Sequence, residues 1–218
     1  MPHQRTSIAV TAVLALACGV KPPSDGEIAS PSVAVARFTA AAESAPDVGS
    51  ARLEIQAAGK VAFPDGRLAV SDAFINDAPV IASRLPPGEA TVELLVATSR
   101  TDQRVAAARV VVGRDPIAGW RRIGAIPIDS GTGAFFDPRI FSAHTPADVE
   151  PFNDRLLAVL KRSATQPYAS GAMTWQNRTL VAFSTGFGDG TYPVYVGSST
   201  TGHPMAVVVD CELLPWRN

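Results

Sequence analysis

Ser184-Thr-Gly-Phe-Gly-Asp-Gly-Thr-Tyr-Pro-Val-Tyr-Val-Gly197 is the stretch around which the chain is organised. Its glycines, at positions 186, 188 and 190, can adopt positive φ angles or let another backbone come close, which residues with a Cβ do only with strain. The pair Asp189-Gly190 is typical of a tight turn, and residues 191–196 have the β-branched and aromatic content of a strand. Residues 179–183 (TLVAF) form another apolar run, so we expect the glycines to join two strands.

A glycine-rich loop of this kind also invites comparison with phosphate-binding loops. Those loops open a helix, because the helix N-terminus supplies the N–H groups and the positive end of the dipole. Here the loop leads into a strand that contains Pro193, and no Gly-Lys-Ser/Thr follows. We therefore expect no nucleotide binding and interpret the stretch as a shaped turn in a β-sheet.

The composition favours a globular domain with a substantial core. The chain has 218 residues, of which 46% are hydrophobic and 18% charged, and its 19 basic and 20 acidic residues give a net charge of -1. This balance provides no electrostatic attraction for nucleic acid. The 18 prolines and 17 glycines indicate many turns. Together with the strand patterns described below, they predict a mainly β (α+β) domain, built as an antiparallel sandwich or a curved sheet.

The N-terminus resembles the sorting signal of bacterial lipoproteins. Residues 8–17 (IAVTAVLALA) are an uncharged apolar run of the length found in signal peptides, and Ala17 directly precedes Cys18. We expect residues 1–17 to be a signal peptide and residues 18–35 to be a lipidated cysteine and tether, with acyl chains holding the protein on the membrane. Gly19 is not the aspartate that retains lipoproteins at the inner membrane, so the outer membrane is favoured. The alternative is an ordinary secretory signal that is cleaved near Ala17.

Along the remaining chain the patterns favour strands over helices. Residues 33–45 are alanine-rich and predict a short helix with poor caps. Pro64-Asp65-Gly66 lies between two short apolar runs and predicts a β-hairpin, and residues 90–98 and 104–112 predict a second one. A main helix is expected near residues 146–162, because Thr145 is a natural N-cap, Pro146 suits the first helical position and apolar residues follow at helical spacing.

Three segments resemble the bacterial domain-of-unknown-function 4241 family over about residues 36–218. They read GKVAFPDGRLAVSD at 59–72, IDSGTGAFFD at 128–137 behind Trp120, and VAFSTGFGDGTYPVYVG at 181–197, running into AVVVD at 206–210. The last block is the most specific, and the first departs from the family pattern, which tends to show Asp-Pro where this chain has Asp72-Ala73. The resemblance implies a shared fold and a single β-rich domain. It implies no activity.

These blocks also contain the candidate site residues. Their aspartates lie beside glycines or at strand ends, so hard oxygen ligands for Ca²⁺ would gather if the blocks converge in space. Paired carboxylates would also suit acid–base or glycosidic chemistry. The competing interpretation is that turn aspartates cap their own backbone. The binding residues we single out are Asp129, Asp137, Ser184, Gly186, Gly188, Asp189, Gly190 and Tyr192.

Other kinds of chemistry are less well supported by the sequence. No Gly-x-Ser-x-Gly elbow occurs, and His144 and His203 are interpreted as surface or turn residues. Two histidines and one distant cysteine are a weak case for zinc. Cys211 lies in an apolar run and is expected to be a buried thiol without a disulfide partner if Cys18 carries lipid. Aromatic residues either form a binding platform for a protein or glycan or, as we favour, belong to the core: Trp120, Trp175, Trp216, Phe135, Phe136, Phe187, Tyr192 and Tyr195.

From these observations we expect a lipid-anchored domain of the cell envelope that binds a partner, most simply a protein, without catalysing a reaction. No cofactor is expected, with Ca²⁺ as the one ion that the acidic residues would suit. The alternative hypothesis is a hydrolase-like enzyme that uses Asp129, Asp137 or Asp189, with or without Ca²⁺. An exposed apolar patch would favour binding. A cleft that holds two of these aspartates close together would favour catalysis.

Overall fold

The computed structural model describes residues 52–75, 79–142, 144–163 and 168–213. Within these ranges, eleven β-strands form two antiparallel sheets that pack face to face, and one α-helix covers the smaller sheet. The predicted mainly β sandwich with a main helix is therefore confirmed. The signal peptide, Cys18, the tether, the helix expected at 33–45 and Trp216 lie outside the described residues.

The larger sheet is built from six of the described strands, in the order β1 (Arg52–Phe63), β4 (Gly88–Thr98), β5 (Gln103–Val111), β11 (Pro204–Asp210), β10 (Gly190–Ser198) and β6 (Gly119–Ile128). The smaller sheet is built from five, in the order β3 (Val80–Ala82), β2 (Leu68–Asp72), β7 (Thr132–Phe136), β9 (Arg178–Ser184) and β8 (Ser170–Trp175). The helix, α1, runs over Val149–Ser163.

The main core lies between the two sheets. Strand β11 shows how the sequence alternates to make it, because Val207 and Val209 join the inner cluster while Val208 lies on the opposite face of the sheet. From the smaller sheet Phe135 and Phe183 meet with ring centroids 5.6 Å apart. Both rings are fully buried, and burial of such a side chain stabilises the fold by about 1.5–3 kcal/mol.

A second hydrophobic layer lies between the smaller sheet and α1. Phe152 and Leu156 of the helix pack against Phe136 and Leu180 of the sheet. Because this sheet is covered on both faces, every residue of β2 and of β7 is buried. Such strands lack the alternation of a half-exposed strand, which is why the sequence analysis did not identify β7.

Thr145 begins the helical segment as predicted, and it forms a capping box with Asp148. Pro146–Asp148 forms a 3-10 turn that leads into α1. The Asp148 carboxylate accepts hydrogen bonds from both the backbone N–H and the hydroxyl of Thr145, at 2.9 and 2.6 Å. The Thr145 side chain is thus a donor to Asp148.

The hairpin predicted at Pro64-Asp65-Gly66 is wrong in one respect. The turn exists, since Gly66 has a φ of 71° and donates to the carbonyl of Phe63. However, β1 pairs with β4 and β2 pairs with β3 and β7, so the turn carries the chain from one sheet to the other. Strand β1 has an irregularity in its pairing with β4 between Ala57 and Gly59.

Each of the three family-like segments contains such a corner between sheets. The corner at 64–67 joins β1 to β2, the corner at 129–131 joins β6 to β7, and the loop at 185–189 joins β9 to β10. The second hairpin, between β4 and β5, lies within the larger sheet as predicted.

Candidate functional site

The corner at 129–131 and the loop at 185–189 meet at one end of the sandwich. Ile128 faces Gly190 across β6 and β10, so Asp129 and Asp189 leave from the ends of neighbouring strands. The backbone N–H of Thr185 donates to the carbonyl of Gly131 over 3.1 Å, which joins the two connections directly. We call residues 129–131 together with 184–190 the corner site.

Asp72 holds the first half of the corner site in place. Its Oδ2 accepts from the backbone N–H groups of Asp129 and Ser130, both at 2.9 Å, and its Oδ1 accepts from the Ser130 hydroxyl at 2.8 Å. The same oxygen accepts from the N–H groups of Phe74 and Ile75 at 2.8 and 3.0 Å. Burial opposes the charge of Asp72, but these hydrogen bonds outweigh it and lower the pKa of the carboxyl. Asp72 is therefore a structural carboxylate.

The second half of the corner site is shaped by its glycines. Gly186 and Gly188 have φ angles of 39° and 106°, in the left-handed region that favours glycine. The Gly186 N–H donates to the carbonyl of Val105 over 3.1 Å. The carbonyl of Gly188 accepts from the Thr185 hydroxyl and from the Tyr192 hydroxyl, each at 2.9 Å. Tyr192 is buried, and its hydrogen bond to Gly188 supports the loop. Burial also raises the pKa of the Tyr192 phenol.

Between the two glycines, Phe187 projects from the protein. Its side chain is 72% exposed, more than any other large hydrophobic residue that the structure describes. The guanidinium carbon of Arg104 lies 4.7 Å from the centre of the Phe187 ring, and Arg104 also donates to the carbonyl of Gly186 over 3.2 Å. The ring is thus displayed on a loop whose backbone is fixed on both sides.

The structure separates the aspartates that the sequence suggested as one group. Asp129 and Asp189 are exposed at the corner site. Asp137 follows the far end of β7, where it is buried and bound by Arg139 at 2.7 Å and Arg178 at 2.9 Å. The hydrogen bonds and charge of Arg139, with the charge of Arg178, outweigh burial and lower the pKa of the Asp137 carboxyl. Asp210, at the end of β11, accepts from the N–H of Glu212.

The remaining residues singled out from the sequence have structural partners. The Ser184 hydroxyl accepts from the Ala169 N–H at 2.9 Å, which ties β9 to the start of β8. Gly190 begins β10, where a Cβ would lie 3.2 Å from the Tyr192 ring. Among the described residues no three acidic, histidine or cysteine side chains are placed to hold a metal ion.

Cys211 and four of the eight aromatic residues singled out from the sequence belong to the buried core. Cys211 is buried, and burial raises the pKa of its thiol, as expected for an inert cysteine. Four of the aromatic residues considered for a platform are buried as the core interpretation predicts: Phe135, Phe136, Tyr192 and Tyr195. Phe187 does not follow that interpretation. The sequence gives no signal that Phe187 is exposed while the other aromatic residues are buried, because its neighbours are the same glycines that a buried turn would need.

A second feature, near α1, was not anticipated from the sequence. His144 was interpreted as a surface or turn residue, yet its ring packs edge to face against Phe141, Phe152 and Trp175, with centroids 5.0, 5.1 and 5.8 Å away. A cleft of about 250 Å³ opens beside this aromatic cluster. The available signal was the short spacing of Phe141, His144 and Phe152 around the start of the helix.

These features define the class of protein: an antiparallel β-sandwich domain whose sheet-crossing corners display one exposed aromatic residue. Residues 122–209 match the model of a family described as a protein of unknown function (DUF4241). This match extends from β6 to β11 and includes the whole corner site. The resemblance predicted from the sequence motifs is confirmed over this part of the chain. Neither a curated protein nor a solved structure matches the chain.

Proposed function

We propose that the chain is a non-enzymatic binding domain that contacts a partner protein through the corner site. The observation that carries this proposal is the exposure of Phe187 on a constrained loop. Aromatic residues, phenylalanine included, and arginine are enriched in the cores of protein interfaces, where a few residues carry most of the binding energy. Because the loop is already fixed by hydrogen bonds, little conformational entropy would be lost when a partner covers the ring.

The arrangement of the aspartates supports binding over the alternative of a carboxylate-dependent hydrolase. Glycosidases that use two carboxyl groups need them about 5–9.5 Å apart across a substrate. The paired arginines already neutralise Asp137, which lies at the far end of β7 from Asp129. Asp129 and Asp189 are exposed, and no hydrogen bond or ion pair to a side chain orients either of them within the described residues. A general acid or base is normally buried or oriented by such contacts.

The location we propose is the bacterial cell envelope, with a lipid on Cys18 and the outer membrane favoured. The support is the sequence of the first 18 residues, in which an apolar run ends at Ala17-Cys18. No helix in the described part of the chain has both the length and the apolar character needed to cross a bilayer. In this arrangement residues 18–35 act as a tether and the corner site is free to meet a protein of the envelope.

Site-specific photo-crosslinking tests the binding proposal. A benzophenone amino acid at position 187 is expected to capture one discrete partner in the native envelope. The matched control is position 157, because Leu157 is also an exposed apolar residue, at 42%, but lies on α1. Discrete products at 187 and none at 157 would support the proposal. Absence of products at 187 in the native host would contradict it.

Metabolic labelling tests the anchor separately. The full chain, expressed in its host with labelled fatty acid, is expected to carry the label and to sediment with membranes. The Cys18→Ser variant should lose the label and the membrane association, whereas Cys211→Ser should keep both, because Cys211 is buried in the domain. Secretion of an unlabelled wild-type protein would instead identify an ordinary secretory signal.

A further inference from the structure

The larger sheet has a second apolar surface, on the side that points away from the main core. Along β4, Leu94 and Val96 join the main core, whereas Leu95 between them belongs to a separate cluster on the other side. Strands β5 and β11 alternate in the same way, with Ala107 and Val208 on that side. We call this surface the outer face, and its buried members are Leu53, Leu95, Ala97, Ala106, Ala107 and Val208.

The outer face is closed to solvent, although an antiparallel sheet commonly leaves one face in water. Leu95, Ala107 and Val208 are each 0% exposed. Arg109, on the same side of the sheet, is 3% exposed, and its guanidinium is bonded to the Glu93 carboxylate at 2.6 Å. At an open sheet surface, the charged head of an arginine reaches water. The burial of these residues therefore requires a cover over the outer face.

The described elements supply only part of this cover. Within the described ranges the single α-helix, α1, packs on the smaller sheet. Trp120, from the edge strand β6, and Leu213, which follows β11, pack against the outer face. The buried members of this face come from β1, β4, β5 and β11, four neighbouring strands that together are about 14 Å across. Two side chains are too few to close a surface of this width.

The length of the chain outside the described ranges indicates which segment provides the rest. Only residues 214–218 follow Leu213, and an extended segment is one strand wide, about 5 Å. By contrast, residues 1–51 precede β1, which is the edge strand of this same sheet. The helix predicted at 33–45 is about 20 Å long and about 10–12 Å in diameter with its side chains, so its dimensions match the outer face.

The sequence of this segment has the apolar stripe that such a position needs. A helix over 33–45 carries only apolar residues along one side, at the spacing of successive helical turns: Ala34, Val35, Phe38, Ala41, Ala42 and Ala45. Arg37, Glu43 and Ser44 fall on the opposite side, and Pro46 ends the helical pattern. An alanine-rich stripe suits the outer face, because the small side chains there leave the sheet flat.

We propose that residues 33–45 form a helix that lies across the outer face of the larger sheet, with the apolar stripe against the sheet. The domain then has four layers, in which each sheet is covered by its own helix. A second copy of the chain is not needed, because the burial of the outer face is a property of one chain. This contact depends neither on the protein partner proposed for the corner site nor on a lipid at Cys18.

The reactivity of a cysteine placed on the outer face tests the proposal. The full chain is prepared with Cys18→Ser and Val208→Cys, and Cys211 does not interfere because it is buried in the main core. We expect a thiol reagent to label position 208 at least about a hundredfold more slowly than in the urea-unfolded chain. Ala41→Asp, on the apolar stripe, should speed labelling about tenfold or more, because a buried charge displaces the helix. Ala40→Asp, the same change on the opposite side, should leave the rate unchanged.

Photo-crosslinking within the chain measures the contact without a destabilising substitution. A benzophenone amino acid at position 38 is expected to join to peptides of β4, β5 or β11 of the same chain, as identified by mass spectrometry. The same amino acid at position 40 should give no such product. Absence of these products at position 38 would overturn the proposal.

The labelling experiment also distinguishes the other possible covers of the outer face. Rapid labelling of Val208→Cys in the folded chain would show that the face is open. Labelling that becomes faster on dilution would identify a second copy as the cover. Protection that is lost on truncation after Leu213 but is unaffected by Ala41→Asp would identify residues 214–218. Each of these three results would overturn the proposal.

Discussion

Asp72 and Asp137 show that the role of a carboxylate is decided by its partners. Both are 2% exposed, and both have a lowered pKa in spite of burial. Asp72 is stabilised by N–H and O–H donors of the corner, and Asp137 by two arginines. Neither has the raised pKa that a buried general acid needs at neutral pH.

Replacing Asp72 by Asn should lower the free energy of unfolding by about 2–3 kcal/mol at pH 7, because a buried charged acceptor is lost. The pKa of Asp72 is lowered in the folded state, so its stabilisation is present above the pKa of the unfolded chain and disappears as the pH falls through the folded value. The difference between wild type and variant should therefore shrink below about pH 4.

Urea unfolding at several pH values measures this difference. Asp129→Asn is the matched control, because Asp129 is exposed at the same corner and should change stability by no more than about 0.5 kcal/mol. Equal effects of the two substitutions would show that Asp72 does not hold the corner.

At the scale of the elements, the corners between sheets determine which residues meet. The loop at 185–189 leaves the smaller sheet at β9 and enters the larger sheet at β10. Within this loop, Gly186 lies between β5 and Cys211. A Cβ at Gly186 would lie 3.1 Å from the carbonyl oxygen of Cys211 and 3.2 Å from its Cβ. The glycine is therefore required both by its φ and by the space available.

The variant Gly186→Ala should be destabilised by about 1–3 kcal/mol, from a left-handed φ and a close contact with buried backbone. Gly88→Ala is the control, since a Cβ there would meet nothing within 4 Å and its φ is not positive. Thermal unfolding of both variants would measure the difference. A stable Gly186→Ala would mean that the loop can move without affecting the sandwich.

For the whole molecule, the sequence predicted the layers better than the connections. Strand β10 was predicted from its β-branched and aromatic residues, whereas the five-residue strand β7, which has few such residues, was missed. The residues at 64–66 suit a hairpin turn and a corner between sheets equally well. Only the partners of β1 and β2, which come from distant parts of the chain, distinguish the two.

The candidate site was predictable to a similar degree. The three motif segments were identified; two of them form the corner site, and the first holds it in place through Asp72. The separation of Asp137 from Asp129 was not predictable, because it depends on contacts between distant parts of the chain. Asp137 is bonded by Arg178, which lies 41 residues further along the sequence. Ser130, next to Asp129, donates to Asp72, from which it is 58 residues away. Side-chain exposure, which distinguishes Phe187 from the buried aromatic residues, is likewise a property of the folded molecule.

We propose that the corner site acts through the Phe187 ring and not through carboxylate chemistry. The most direct measurement is the affinity of the full chain for the partner captured at position 187, compared between Phe187→Ala and Asp189→Asn. We expect at least a tenfold loss of affinity for Phe187→Ala, as for an interface hot spot, and less than about a twofold change for Asp189→Asn. Undiminished affinity in Phe187→Ala with loss of binding in Asp189→Asn would contradict it.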